Sequence, residues 1–167
     1  MIIPEARVEV SFDELYRIEY PRLVRVAYAL TGRVDVAEEV TQDAFAKAYS
    51  RWAKVAKLES PGGYLRRMVV NNAMSSLRRR ASEMRALMRF RSGVDEIAVT
   101  PEVDDFWRLV RTLPPRQAQV VALYYADEQS TAAIAEVLQI AEGTVRATLA
   151  QARDSLRTRM MEQGNDE

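Results

Sequence analysis

The sequence predicts an all-α fold of two small helical modules. Apolar residues recur at helical spacing through most of the chain, helix-start signals precede these stretches, and runs that alternate apolar and polar residues are scarce. The length of 167 residues suits one ordinary domain or two small ones. The segment 92–100 contains Gly93 and lacks a sustained helical stripe, so we expect a flexible linker there. The predicted modules are therefore 1–91 and 101–162, with a short tail at 163–167.

Three helices are predicted in the first module. The first begins near Ser11 and ends at Thr31, with Pro21 expected to kink it. The second begins at Asp35, which is predicted to form a capping box with Glu38.

The second helix is predicted to end near Trp52. Ser60 is a favourable N-cap for the third helix, and Pro61 suits its first position. Four shorter helices are predicted in the second module, near residues 101–112, 114–126, 130–139 and 142–161.

Composition excludes several classes of function. The chain has no Cys and no His, which removes disulfides, thiolate nucleophiles, imidazole bases and the usual zinc ligands. No apolar run approaches the roughly 20 residues of a membrane span, and the N-terminus lacks the pattern of a secretory signal. We therefore expect a cytoplasmic protein without a membrane span, a metal or another cofactor.

The net charge of zero conceals an uneven distribution along the chain. Between residues 61 and 91 there are eight arginines and one acid, Glu83. Residues 92–142 carry nine acids and three arginines, and residues 143–160 carry four arginines and one acid, Asp154. Two basic stretches separated by an acidic one suggest two contact points on a single polyanion.

The most distinctive local motif is a predicted helix-turn-helix over 130–146. Small Ala133 and Ala135 would allow close packing of its first helix, while Thr144 and Arg146 would project from the start of the second. Side chains at that place can reach base edges in a DNA major groove. The alternative is an ordinary helical hairpin whose apolar residues only form a core.

Together with two further motifs, this pattern resembles bacterial sigma factors of the extracytoplasmic-function (ECF) group. The resemblance covers about residues 11–160, and three motifs occur in the family's order. It implies a factor that binds core RNA polymerase and directs promoter recognition, DNA melting and transcription initiation. It does not imply an enzyme or a small-molecule substrate.

The first matching motif is residues 37–52. In the family, this helix docks on the clamp coiled coil of the largest polymerase subunit. The resemblance implies polymerase contacts by Glu38, Glu39, Gln42, Asp43 and Lys47. The alternative for these side chains is a solvated helix face. Nearby aromatic residues recur at the spacing of the buried face of a helix, and we expect Phe45 in particular to be buried.

The second matching motif, residues 63–80, resembles the helix that recognises and melts the minus-ten promoter element. Arginines would hold phosphates, and amides would meet an extruded base. The implied DNA-binding residues are Lys54, Lys57, Ser60, Arg66, Arg67, Asn71, Asn72, Arg78 and Arg79. Ser75 stands where the family has an acid, and Asn72 where it usually has an apolar residue, so the base preference is left open. The alternative is a basic helix that only packs on its neighbour.

The third matching motif, residues 113–123 with the helix-turn-helix and 152–157, resembles the module that reads the minus-thirty-five element. The implied DNA-binding residues are Arg116, Thr144, Arg146, Thr148, Gln151 and Arg153. Ala147 and Ala150 could contact thymine methyl groups but cannot donate hydrogen bonds. We therefore expect weak intrinsic DNA affinity from this module.

Two other functional hypotheses explain less of the sequence. A simple DNA-binding regulator would account for the helix-turn-helix but not for the acidic strip or the first basic helix. An enzyme would need a site such as a metal bound by Asp104 and Asp105, but adjacent acids on a helix point to different sides. Members of the family commonly pair with an anti-sigma protein. The sequence leaves open whether this chain does, which promoters and signals it serves, and how its two modules are oriented.

Overall fold

A computed structural model describes residues 10–88 and 101–164, with side chains in the second range described from Asp104 onward. All regular elements in these ranges are helical, which confirms the predicted fold class. The predicted linker 92–100 and residues 1–9 lie outside the described residues. No described helix is long and apolar enough to cross a membrane.

Four helices form the first group. They are α1 (Phe12–Thr31), α2 (Val34–Ser50), α3 (Trp52–Val55) and α4 (Pro61–Leu87). The start of α1 is capped by the Ser11 hydroxyl, which accepts a hydrogen bond from the backbone N–H of Glu14 at 3.2 Å. It ends at Gly32, whose backbone φ of 69° is left-handed. Both predicted ends are confirmed, and the helix continues through Pro21.

The predicted capping box at the start of α2 is wrong. The N-cap residue is Arg33, which makes no side-chain capping bond. Asp35 instead lies inside the first turn, where its carboxylate accepts a hydrogen bond from the Arg33 guanidinium at 2.6 Å. This bond lowers the pKa of Asp35 below its usual value. A carboxylate in the first turn also interacts favourably with the helix dipole, so the acid still favours the start of α2.

The predicted start of α4 is confirmed. The Ser60 hydroxyl accepts a hydrogen bond from the backbone N–H of Gly63 at 3.0 Å, and Pro61 occupies the first turn. Helices α1, α2 and α4 pack around one core. Leu23, Val26 and Leu65 in this core are completely buried.

The second group contains α5 (Pro101–Arg111), α6 (Pro115–Val121), a π-helical turn (Ala122–Ala126), α7 (Thr131–Leu138) and α8 (Glu142–Gly164). The predicted helix 114–126 is thus an α-helix that widens into the π-helical turn. The Ser130 hydroxyl caps α7 by accepting a hydrogen bond from the N–H of Ala133 at 3.1 Å. Helix α8 continues two residues past the predicted module boundary at 162.

The two groups pack directly against each other, an arrangement that the sequence left open. Helix α1 contacts α5 and the π-helical turn, and α4 contacts α7. The Arg111 guanidinium covers Gly32 so closely that a Cβ there would lie 2.8 Å from it. Beside it, the Tyr28 hydroxyl donates a hydrogen bond to Asp104 at 3.2 Å. Burial, together with the negative charge of Asp104, raises the pKa of Tyr28.

Candidate polymerase and nucleic-acid interfaces

Helix α2 presents a polar strip on the side opposite its core face. Glu38, Glu39, Gln42, Asp43 and Lys47, which we call the α2 strip, are all exposed. The buried face of α2 is formed by Val36, Ala37, Val40, Thr41, Ala44, Phe45 and Ala48. Since no carboxylate of the α2 strip is in an ion pair with a described residue, its acceptors are available to a partner.

An aromatic cluster supports the α2 strip from beneath. Phe45 is 2% exposed, and its ring makes edge contacts with Phe12, Tyr16 and Tyr20 at centroid distances of 5.0–6.2 Å. The prediction that Phe45 belongs to the core is confirmed. Tyr49 lies at the margin of the cluster and is 66% exposed.

The far half of α4 and the preceding loop form an exposed basic surface. Arg78 and Arg79 are exposed, as are Asn71 in α4, Lys54 in the short helix α3 and Lys57 in the loop after α3. All five of these predicted DNA-binding residues are exposed, so a polyanion can reach their side chains in this arrangement.

Two of the polar residues assigned to the minus-ten contact also have structural roles. The Asn72 amide donates a hydrogen bond to the backbone carbonyl of Val40 at 3.3 Å, which joins α4 to α2. The Ser60 hydroxyl is exposed but serves as the α4 cap. A polar residue at position 72, where the family is usually apolar, thus has a packing explanation.

Arg66 and Arg67 are not exposed to DNA in this structure, contrary to the sequence expectation. Arg66 is 6% exposed and pairs with Glu19 at 2.6 Å and with Asp127 at 2.5 Å. Arg67 donates hydrogen bonds to the backbone carbonyls of Val137 at 3.0 Å and Glu136 at 2.9 Å. The physical reason is that acceptors of the second module, together with Glu19 of α1, engage the donors of both arginines within the protein.

In the second module, the exposed face of α8 differs in part from the predicted one. Thr144, Arg146 and Gln151 are exposed as expected, together with Ala147 and Ala150.

Two other residues assigned to this face are placed differently. Thr148 is 8% exposed and lies on the core face of α8, so the prediction that it faces DNA does not agree with the structure. Arg153 is exposed, as expected, but its guanidinium donates a hydrogen bond to the Tyr125 hydroxyl at 2.9 Å and lies 5.3 Å from the centre of the Tyr124 ring. These tyrosines hold Arg153 against its own module.

A hydrogen-bonded bridge fixes the corner of the helix-turn-helix. One oxygen of Glu142 accepts from the Thr131 hydroxyl at 2.8 Å and from the Arg146 guanidinium at 2.6 Å. Glu142 was not identified from the sequence, although its position four residues before Arg146 is a recognisable helical pairing. Arg146 nevertheless remains 68% exposed, so its free donors point toward solvent.

Arg116 is exposed at the start of α6 and donates a hydrogen bond to Gln119 at 3.2 Å. Together with Arg67 and Asn71 it lines a small cleft between the modules, with a volume of about 120 Å³. Three residues that the sequence assigned to two different promoter elements therefore meet at one place.

The carboxylates of the alternative enzyme hypothesis are engaged by arginines. Asp104 is bound by Arg108 at 3.0 Å and by Arg111 at 3.3 Å, and Asp105 by Arg108 at 2.9 Å. Burial of Asp104 opposes ionisation, but the hydrogen bonds from Tyr28 and both arginines outweigh it and lower its pKa. Among the described residues, no three acidic side chains are grouped so that they could hold a metal ion.

The fold and these surfaces define a two-module helical protein with a helix-turn-helix in its second module. Residues 15–83 match the family model for sigma-70 region 2, and residues 104–156 match the model for sigma-70 region 4. The chain belongs to the sigma-70 family, in the ECF group of sigma factors. As such it directs promoter-specific transcription initiation, with core RNA polymerase and promoter DNA as its partners.

Relatives agree with this assignment, and a solved structure has a similar fold. The chain is 28% identical over 156 residues to an RNA polymerase sigma-E factor of Streptomyces antibioticus, covering 90% of this chain and 87% of that one. It is 29% identical to the ECF sigma factor SigM of Mycobacterium tuberculosis, covering 87% and 75% of the two chains. The fold is similar to that of the sigma factor RpoE from Bartonella quintana, solved in complex with the anti-sigma factor NepR. That comparison has a TM-score of 0.74, 22% identity, and coverage of 88% of this chain and 94% of that one.

Proposed function

We propose that this sigma factor binds the polymerase clamp through the α2 strip and promoter DNA through two separate basic surfaces. The observation that carries the proposal is the exposure of all five strip residues on a helix whose opposite face is buried. Carboxylates and amides on such a strip offer acceptors to basic groups of a partner. Catalysis then belongs to the polymerase, and this chain acts as an initiation factor in the cytoplasm.

Promoter contacts in this proposal are divided between the two modules. Phosphates of the minus-ten region are held by Arg78 and Arg79, and Asn71 meets the unstacked base. At the minus-thirty-five element, Arg146 and Gln151 on α8 read base edges. Arg116 holds a phosphate, while the exposed alanines of α8 meet thymine methyl groups.

The proposed function is tested by run-off transcription. Core polymerase would be combined with this chain on a genomic promoter library, and transcript starts would be mapped. We expect a small set of promoters that core polymerase alone does not use. Transcript start sites that are the same whether or not this chain is added to core polymerase would contradict the proposal.

Replacement of Arg79 by Ala should weaken DNA binding without changing sequence preference. Arg79 is exposed and has no hydrogen-bond partner among the described residues, so it is free to neutralise a phosphate. Loss of one such contact should lower the slope of log affinity against log salt by about one unit. The measurement is a salt titration of holoenzyme on several promoters. The control is Arg25→Ala, which removes the same charge from an exposed site on α1. A loss confined to one minus-ten sequence, with the slope unchanged, would show that Arg79 reads bases.

Replacement of Arg146 by Ala should relax preference at a single minus-thirty-five position. A bidentate contact between arginine and guanine is worth about 1–3 kcal/mol of discrimination. Binding of wild-type and variant holoenzyme would be measured on a panel of single-base variants of the element. Arg116→Ala provides the contrast, because loss of a phosphate contact should weaken binding equally across the panel. The same even loss with Arg146→Ala would show that Arg146 does not read a base directly.

We also propose that an anti-sigma protein binds this chain. The structural likeness to the sigma factor RpoE, which was solved in complex with the anti-sigma factor NepR, supports the proposal. A pull-down in its own organism, with this chain as bait, should retain a protein that competes with core polymerase for binding to the chain. A bound protein that leaves polymerase binding unchanged would not be an anti-sigma factor.

A further inference from the structure

The last part of α4 extends beyond the core of the first module. The last buried residue of this helix is Ser76, and all side chains over 81–88 are exposed. We call residues 78–88 the α4 tip. The hydrogen bonds that its side chains make with described residues stay within α4. Because no buried side chain anchors the α4 tip, it can unwind locally at little cost in free energy.

One serine lies within the α4 tip. Ser82 is exposed, and its hydroxyl has no hydrogen-bond partner among the described residues. In the sequence, Arg79 and Arg80 stand three and two residues before it. No other serine or threonine of the chain has an arginine at both of these positions. Kinases select substrates by charge pattern, and a pair of arginines placed in this way suits a serine/threonine kinase with an acidic substrate groove.

Arginines also surround Ser82 on the helix surface. Arg78 and Arg79 precede it by four and three residues, and Arg85 follows it by three. Residues at these spacings are neighbours on a helix, and all three arginines are exposed. A phosphate group on Ser82 would carry about two negative charges, so it could form charge-assisted hydrogen bonds with these guanidinium groups.

We propose that Ser82 is phosphorylated by a serine/threonine kinase that selects basic substrates, and that the phosphate inactivates the minus-ten surface. The kinase transfers the γ-phosphoryl group of ATP to Oγ of Ser82. A new O–P bond forms, the bond between the β- and γ-phosphates breaks, ADP leaves, and the hydroxyl proton passes to the catalytic base of the kinase. Local unwinding of the α4 tip gives the kinase an extended segment to bind.

The phosphate acts on DNA binding through charge. The α4 tip carries four arginines and one acid, Glu83, a formal charge of +3. A phosphate group reduces this charge to about +1. It also occupies Arg78 and Arg79, which are proposed to hold minus-ten phosphates. Loss of two phosphate contacts should lower the slope of log affinity against log salt by about one to two units. This inference rests on the proposed function, because it regulates the same surface.

The modification is tested first on the full chain without DNA or polymerase. The chain would be incubated with ATP and the catalytic subunit of cyclic-AMP-dependent protein kinase as a probe, and in a second reaction with ATP and a lysate of its own organism. Peptide mass spectrometry should locate phosphate on Ser82 in both reactions. Arg80→Gln should largely abolish it. The matched control is Arg85→Gln, which removes the same charge from the other side of Ser82 and should leave the rate unchanged.

The effect of the phosphate is tested with phosphoserine incorporated at position 82 during translation. Holoenzyme containing this chain should bind a promoter selected by run-off transcription about ten-fold or more weakly than wild type at 0.1 M salt. The matched control has phosphoserine in place of Thr158, an exposed residue of α8 that is not assigned to DNA. This control and Ser82→Ala should both stay within about two-fold of wild type.

Four results would overturn the proposal. Absence of phosphate on Ser82 with the purified kinase would show that the α4 tip does not admit a kinase, and its absence with the lysate would show that the organism does not use the site. Equal promoter affinity with phosphoserine at 82 and at 158 would show that the phosphate does not act on the minus-ten surface. Equal rates for Arg80→Gln and Arg85→Gln would remove the arginine pair from kinase recognition. Failure of the proposed function is distinguished by wild-type holoenzyme, which would then give no promoter-specific transcript even with Ser82 phosphorylated as expected.

Discussion

Replacement of Asp43 by Arg is expected to weaken binding of core RNA polymerase by about ten-fold or more. A reversed charge in the α2 strip places an arginine against the basic groups that the strip is proposed to meet, and like charges across an interface cost several kcal/mol. Stability should change by no more than about 0.5 kcal/mol because the side chain is exposed. A titration of labelled sigma factor with core polymerase measures the first effect, and urea unfolding the second.

The matched control is Glu162→Arg, which makes the same charge change at an exposed position of α8, far along the chain from the α2 strip. Its affinity for core polymerase should stay within about two-fold of wild type, as expected for a surface change outside an interface. Equal affinity of wild type and Asp43→Arg would remove the α2 strip from the polymerase interface. Equal losses in both variants would point to a general charge effect.

Replacement of Phe45 by Ala, two residues away on the same helix, is expected to lower the free energy of unfolding strongly. Phe45 is 2% exposed and contacts three aromatic rings. Removal of a buried phenylalanine side chain typically lowers the free energy of unfolding by about 3–5 kcal/mol. The value is obtained from urea unfolding of the full chain, followed by far-UV circular dichroism.

Phe45→Leu is the control, since a buried hydrophobic replacement of closer volume should cost less than Phe45→Ala. A loss below about 1 kcal/mol for Phe45→Ala would contradict the role of the aromatic cluster as core, because a buried large-to-small change rarely costs so little. The pair of positions separates the functions of the two faces of α2. The exposed face is expected to govern binding, and the buried face to govern stability.

Local signals in the sequence predicted most helix boundaries because the responsible contacts lie within a few residues. Ser11, Ser60 and Ser130 each cap a helix through a hydroxyl bonded three residues ahead. Asp35 shows the limit of this approach. The capping-box pattern was present, but Arg33 engages the carboxylate and the N-cap is Arg33, two residues earlier than the pattern predicts.

The candidate site was predicted less completely than the fold. Helical spacing places the α2 strip on one face, and the structure shows all of its members exposed. Thr148 was assigned to the DNA face from its position in the motif, yet α8 turns it inward. The packing of α8 on its own module decides which side chains of the recognition helix are exposed.

By itself, the sequence determined the fold class, the helix starts and the family, because these depend on periodicity, capping and motif order within short stretches of chain. Only the tertiary structure revealed the partners of Asp127. It lies 105 residues from Arg22 and 61 from Arg66, and in the sequence it is one acid in an acidic stretch. Whether such a carboxylate is solvated or buried between arginines depends on how the modules pack, and no local pattern encodes that contact. The same packing decides that Arg66 and Arg67, basic residues of a predicted DNA surface, are held within the protein.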